Sequence, residues 1–153
     1  MMTAEANNLS SKSRLGFHQV MKSSPGLADY KTRTALRPRY RFGWLMSDDD
    51  LRAITPPELH WRESPTMNYV HDLMNDCCAV YGESFDISVV PLGPRGTDLL
   101  GRNLLYFTFL HFTNNRTPDA LAKAEDEEII KSLTRVLKAE NNPPVWLLDD
   151  YRV

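Results

Sequence analysis

Leu104 to Phe112 reads LLYFTFLHF, and it narrows the choice of fold more than any other stretch of the chain. Leu105, Phe107 and Phe109 alternate onto one side of a strand, and Tyr106, Leu110 and Phe112 onto the other. A strand at a sheet edge or on a one-layer surface shows water a polar face. This one has two apolar faces, so it belongs in the middle of a sheet covered on both sides. The fold must therefore be layered, with helices supplying at least one cover.

The helices announce themselves through their starts. Ser47 precedes Asp48, Asp49 and Asp50, which combines a serine cap with acids in the first turn and an acid at the capping-box position. Pro56-Pro57 ends that helix early. Ser64-Pro65 opens a second helix, running to about Tyr81 before Gly82, with Val70, Leu73, Met74, Cys77 and Tyr81 as its inward stripe. Thr117-Pro118 opens a third, expected to continue to about Glu140 with Leu121, Ile129, Ile130, Leu133, Val136 and Leu137 inward. Its acids precede its bases, which suits the macrodipole.

Three more segments read as strands: Tyr40–Met46, Phe85–Val90 and Val145–Leu148. The order is β-α-α-β-β-α-β. The strand–helix–strand unit from Leu104 to Leu148 favours a parallel crossover, and the Phe85 and Leu104 strands an antiparallel hairpin. The expectation is an α+β domain over residues 41–153, with a mixed sheet of about four strands and helices packed on it. That length is enough for one core.

Ahead of the domain the composition changes. Residues 1–41 carry eight basic side chains against Glu5 and Asp29, a charge of +6. Residues 42–153 carry −8, so the formal net charge of −2 hides an electrical split. Residues 1–40 hold little apolar periodicity and read as a disordered basic arm. Tyr30, Tyr40, Phe42 and Trp44 interleave with Lys31, Arg33, Arg37, Arg39 and Arg41, the composition of a nucleic-acid or partner contact. The four arginines are the candidate contact residues. The Ser-rich, acid-poor start also meets the compositional rule for a mitochondrial presequence.

Other chemistry is sparse. The glycine-rich stretch 91–103 reads as a long hairpin loop, where Arg95, Gly96 and Arg102, with His111 nearby, are the candidate anion- or ligand-binding residues. It lacks the Gly-Lys-Ser/Thr of a phosphate loop. Cys77 and Cys78 are adjacent, so they cannot staple distant parts of the chain or make a zinc site by themselves. His71 and Cys78 lie two helical turns apart, too far to act as a nucleophile pair. Catalytic residues are not identifiable, and neither a cofactor nor a metal is expected. No apolar run reaches the length of about 18 residues that a membrane span needs.

The resulting expectation is a small cytoplasmic or nuclear interaction module with a protein partner. The alternatives are a nucleic-acid- or ribonucleoprotein-associated protein using the arm, a small enzyme or anionic-ligand binder using the 91–103 loop, and a mitochondrial location.

Overall fold

The structure, a computed structural model, describes residues 20–28, 39–60, 63–82, 84–95 and 105–148. It is α+β. Five strands, β1 (Val20–Met21), β2 (Tyr40–Ser47), β3 (Ser88–Arg95), β4 (Leu105–Asn114) and β5 (Val145–Leu148), form one sheet in the order β1-β5-β2-β4-β3. Every neighbouring pair is antiparallel. The expected mixed sheet of about four strands is thus an antiparallel sheet of five. β4 and β5 do run parallel to one another, as the crossover requires, but β2 lies between them and hydrogen-bonds to both. The fifth strand, β1, comes from the stretch assigned to the arm. Two residues are too short to carry a periodic signal.

Serine capping starts α1 (Asp48–Ile54) as expected. Ser47 Oγ accepts from the Asp50 N–H at 3.2 Å, and Asp50 Oδ2 accepts from the Ser47 N–H at 2.9 Å. A 3-10 turn at Pro57–Leu59 leads to α2 (Glu63–Ala79). The centre of its buried stripe is Val70, Met74 and Cys78, each 1% exposed or less, spaced i, i+4, i+8. Tyr81, expected in that stripe, lies beyond the helix, is exposed, and shares a hydrogen bond with Ser132 Oγ at 2.6 Å.

The single helix expected from Pro118 to about Glu140 is broken in two. α3 (Pro118–Lys123) is capped by Thr117, and α4 (Glu127–Val136) starts afresh. Asp126 is the cause: its Oδ1 accepts from the Glu128 and Ile129 N–H groups at 3.0 and 3.3 Å, capping a new helix inside the acidic run. α4 closes in a Schellman motif, with Ala139 N–H donating to Thr134 O and Lys138 N–H to Arg135 O. Lys138 occupies the left-handed position usual for glycine, at φ 51°, and its Nζ donates to Ala53 O of α1 at 3.1 Å.

The helices cover one face of the sheet. Phe42, Trp44 and Met46 of β2, Leu110 and Phe112 of β4, and Trp146 of β5 pack there against α1, α2 and α4. Leu45, Phe109, Val145 and Leu147 are buried on the opposite face, with Val20, Leu92 and Phe107 against them. β4 is therefore an interior strand with two buried faces, as its sequence requires. Both sheet edges are blunt: β1 has two residues, and β3 carries Pro91 and Pro94, which cannot donate to an added strand.

Residues 20–28 belong to the folded body. Asn115, fully buried just after β4, binds this segment to β2. Its Nδ2 donates to Gly26 O at 2.9 Å, its Oδ1 accepts from Tyr40 N–H at 2.7 Å, and its own O accepts from Ala28 N–H at 2.8 Å. Ala28 and Tyr40, which bracket the basic run, are therefore brought to one residue. The rest of the arm, 1–19 and 29–38, lies outside the described residues. Among those described, no helix is long and apolar enough to cross a membrane.

Candidate functional site

Among the described residues, an extended polar network centres on His111. Period-two alternation of β4 puts it on the same side as Phe109, whose ring centroid is 5.7 Å away, and its side chain is fully buried. Arg41 Nη1 sits 3.1 Å from His111 Nε2. A guanidinium can only donate, so Nε2 must be the accepting nitrogen and the proton must reside on Nδ1. Nδ1–H then donates to Asp86 O at 2.8 Å. Both ring nitrogens are engaged.

The network continues outward. Asp86 Oδ2 lies 3.9 Å from Nδ1 and accepts from Asn114 Nδ2 at 2.9 Å, while Asn114 Oδ1 accepts from the Arg116 N–H at 2.9 Å. Asp86 N–H donates to Phe112 O, which holds the segment before β3 against β4. Three parts of the chain thus meet at one imidazole: the basic start of β2, the entry to β3 and the end of β4.

Of the other candidates, Arg39 is exposed at the start of β2, two residues from Arg41. Arg33 and Arg37 lie outside the described residues. Phe42 and Trp44, expected to interleave with these cations, are 5% and 0% exposed in the helix-side core, so they cannot stack on bases. Tyr40 is half-buried against the same core.

The glycine stretch changes as well. Strand pairing carries through Pro91–Thr108 and Pro94–Tyr106 to Arg95–Leu105, with an irregularity between the prolines, so the loop is shorter than 91–103. Gly96 and Arg102 lie outside the described residues, as does the side chain of Arg95. Arg95 pairs with Leu105 and Ser88 with His111, so six residues of β4, about 20 Å of strand, separate the Arg95 end of the ladder from His111. The structure does not gather Arg95 and His111 into one site.

No family model, curated protein or solved structure matches this chain.

The cysteines carry the clearest electrostatic signature. Burial pushes the Cys78 thiol up to about 12, with the neighbouring Cys77 adding to the rise. Burial also raises Cys77, which Arg135 partly opposes. A thiol held protonated is a poor nucleophile and a poor metal ligand. Both should label slowly at about pH 8, Cys78 at least about tenfold more slowly than Cys77. Timed alkylation with intact-mass readout, native and in urea, measures this, and fast native labelling of Cys78 would contradict it. Because folded Cys78 holds its proton more tightly than the unfolded residue does, this contribution to stability is full below about pH 9 and is lost as the pH rises towards 12. His60 is also structural. Its Nε2 meets Arg52 O and Thr55 O at 3.1 and 3.0 Å, covering the carbonyl end of α1.

Sequence reasoning singled out His111 as a candidate ligand-binding residue beside the 91–103 loop but gave no sign of Arg41 or Asp86 as its partners. It gave no sign of the role of Asn115 either. Asparagine is common in turns, and nothing local distinguishes one whose amide reaches 75 and 89 residues back along the chain.

Proposed function

We propose that this protein is a small interaction module, acting through contact with an acidic macromolecule and not through chemistry on a small substrate. The observation that carries the reading is the Asn115 junction. It ties Gly26 and Ala28 on one side and Tyr40 on the other to a rigid sheet, and the sequence between them holds Lys31, Arg33, Arg37 and Arg39 against Asp29 alone. A run of cations whose two ends are held to a folded body loses less entropy on binding than a free tail does. The remaining chemistry-bearing groups support the same reading. His111 engages both nitrogens, the Cys78 thiol is held protonated, and His60 covers a helix end.

A protein surface rich in carboxylates is the favoured partner. The burial of Phe42 and Trp44 takes two of the four interleaved aromatic rings out of reach of the bases that single-strand binders stack on them. The test is a binding titration of the full chain against a labelled acidic peptide, single-stranded RNA and duplex DNA, at low and physiological salt. The variant replaces Lys31, Arg33, Arg37 and Arg39 with serine. Removing four charge contacts, each worth roughly 0.2 to 1 kcal/mol, should weaken binding to the acidic peptide by about fourfold to about a thousandfold. Binding that survives the four substitutions would move the contact elsewhere. Tight binding to nucleic acid in place of the peptide would change the partner class. Absence of binding by the full chain to every acidic probe would overturn the reading.

A further inference from the structure

We infer that His111 is a proton-operated latch on Arg41. The neutral ring offers Arg41 the one kind of group a guanidinium can donate to, the lone pair on Nε2, at 3.1 Å. A proton taken up from solvent at Nε2 removes that lone pair. Two cations would then face each other at hydrogen-bond distance inside the protein.

The geometry determines which of them leaves. Among the described residues, the charged groups seen against the ring are Arg41 from β2 and Asp86 from the segment entering β3. The Asp86 carboxylate stands 3.9 Å from Nδ1 on the side away from Arg41, oriented by Asn114 Nδ2 at 2.9 Å. Nδ1–H keeps its bond to Asp86 O at 2.8 Å in either state. The imidazolium therefore has a counter-charge and an unbroken hydrogen bond on one side and a repelled guanidinium on the other. His111 is fully buried on an interior strand, whereas Arg41 is only half-buried, on a long flexible stem. Arg41 swings out. Its charge then joins that of Arg39 and the basic run preceding it in the sequence, and the start of β2 becomes more cationic as pH falls through the range where imidazoles titrate.

The test uses nitrogen-15 NMR of the full chain from about pH 8 to about pH 5, following the His111 ring nitrogens and the Arg41 side chain. Expected at the alkaline end are an Nδ1–H tautomer and a held Arg41 whose Nη protons exchange slowly. On acidification the Arg41 signals should average with the same midpoint as His111, while those of Arg52 on α1 do not follow. Removing the neighbouring cation in Arg41→Met should raise the His111 midpoint by about one pH unit, and removing the counter-charge in Asp86→Asn should lower it. The proposal is overturned by an Nε2–H tautomer, by Arg41 signals that ignore the His111 titration, or by a protein that unfolds before His111 takes up a proton. If neither variant folds, the two wild-type midpoints decide. The measurement needs no partner, so failure here is distinguishable from failure of the interaction reading.

Discussion

Gly43→Ala should cost the fold about 3 kcal/mol or more, enough to leave a marginal domain substantially unfolded at physiological temperature. Gly43 is a glycine because two backbones meet there. It faces His111 across the β2–β4 ladder, next to the register shift at Phe42. A Cβ on Gly43 would overlap Leu110 O and come within 2.5 Å of His111 Cα and 2.7 Å of the Leu110 carbonyl carbon. These are main-chain atoms of the central strand, so no rotamer change relieves the overlap. Either β2 and β4 separate or the ladder re-registers, and a one-residue slip would exchange the faces of Phe42, Trp44 and Met46. Urea denaturation of the variant gives the number. A loss below about 1 kcal/mol would show that the strands can part at this point without penalty.

The second large effect is expected at Asn115. Asn115→Ala removes a donor to Gly26 O and an acceptor for the Tyr40 N–H, and leaves a hole where a fully buried amide stood. Two partly buried backbone groups lose their partners, at roughly 1 to 3 kcal/mol each, with water recovering some of the loss because Gly26 and Tyr40 are not fully enclosed. A total of about 2 to 4 kcal/mol is expected. Asn115→Asp is the sharper probe. It keeps an acceptor for Tyr40 N–H but points a carboxylate oxygen at Gly26 O, so it should release the 20–28 segment selectively. Hydrogen exchange at Ala28 and Met21 should accelerate by more than about tenfold while exchange at Leu110 stays slow. Uniform acceleration across the sheet would mean that Asn115 supports the whole fold and not this junction.

The same two residues mark the boundary of what local pattern reveals. The serine cap of α1, the Thr117-Pro118 start of α3 and the two-faced β4 are written in neighbouring residues, and each is found in the fold, whereas α2 begins at Glu63, ahead of the expected Ser64-Pro65 start. The break at Asp126 was also locally encoded, but a continuous apolar stripe masked it. Strand neighbours are different. Nothing in Val145–Leu148 states that it slots between β1 and β2, because partner choice depends on which edge is open when the other elements have packed. The need for glycine at position 43 arises from a contact with a strand more than sixty residues away, so a lone glycine in an aromatic run carried no legible warning. For the candidate site, chemistry gave the residue and topology gave its partners. His111 was visible as a strand histidine, while Arg41 and Asp86 reach it only through the pairing of β2 and the β3 entry with β4.

The strand order also dictates the sequence of events by which the protein is made. β2 emerges from the ribosome early, yet its second neighbour, β5, follows roughly a hundred residues later, and β1 has no partner in the sheet except β5. Until Leu148 has been synthesised, β2 has one open flank and the Val20–Met21 segment has nowhere to dock. The β3–β4 hairpin can close locally, but the sheet is completed by its last strand, inserted into the middle. Folding should therefore be slow for a chain of this size, and it should finish only after translation has passed residue 148. A nascent chain arrested shortly before Val145 would present the unpaired edge of β2 to chaperones, or to another copy of itself.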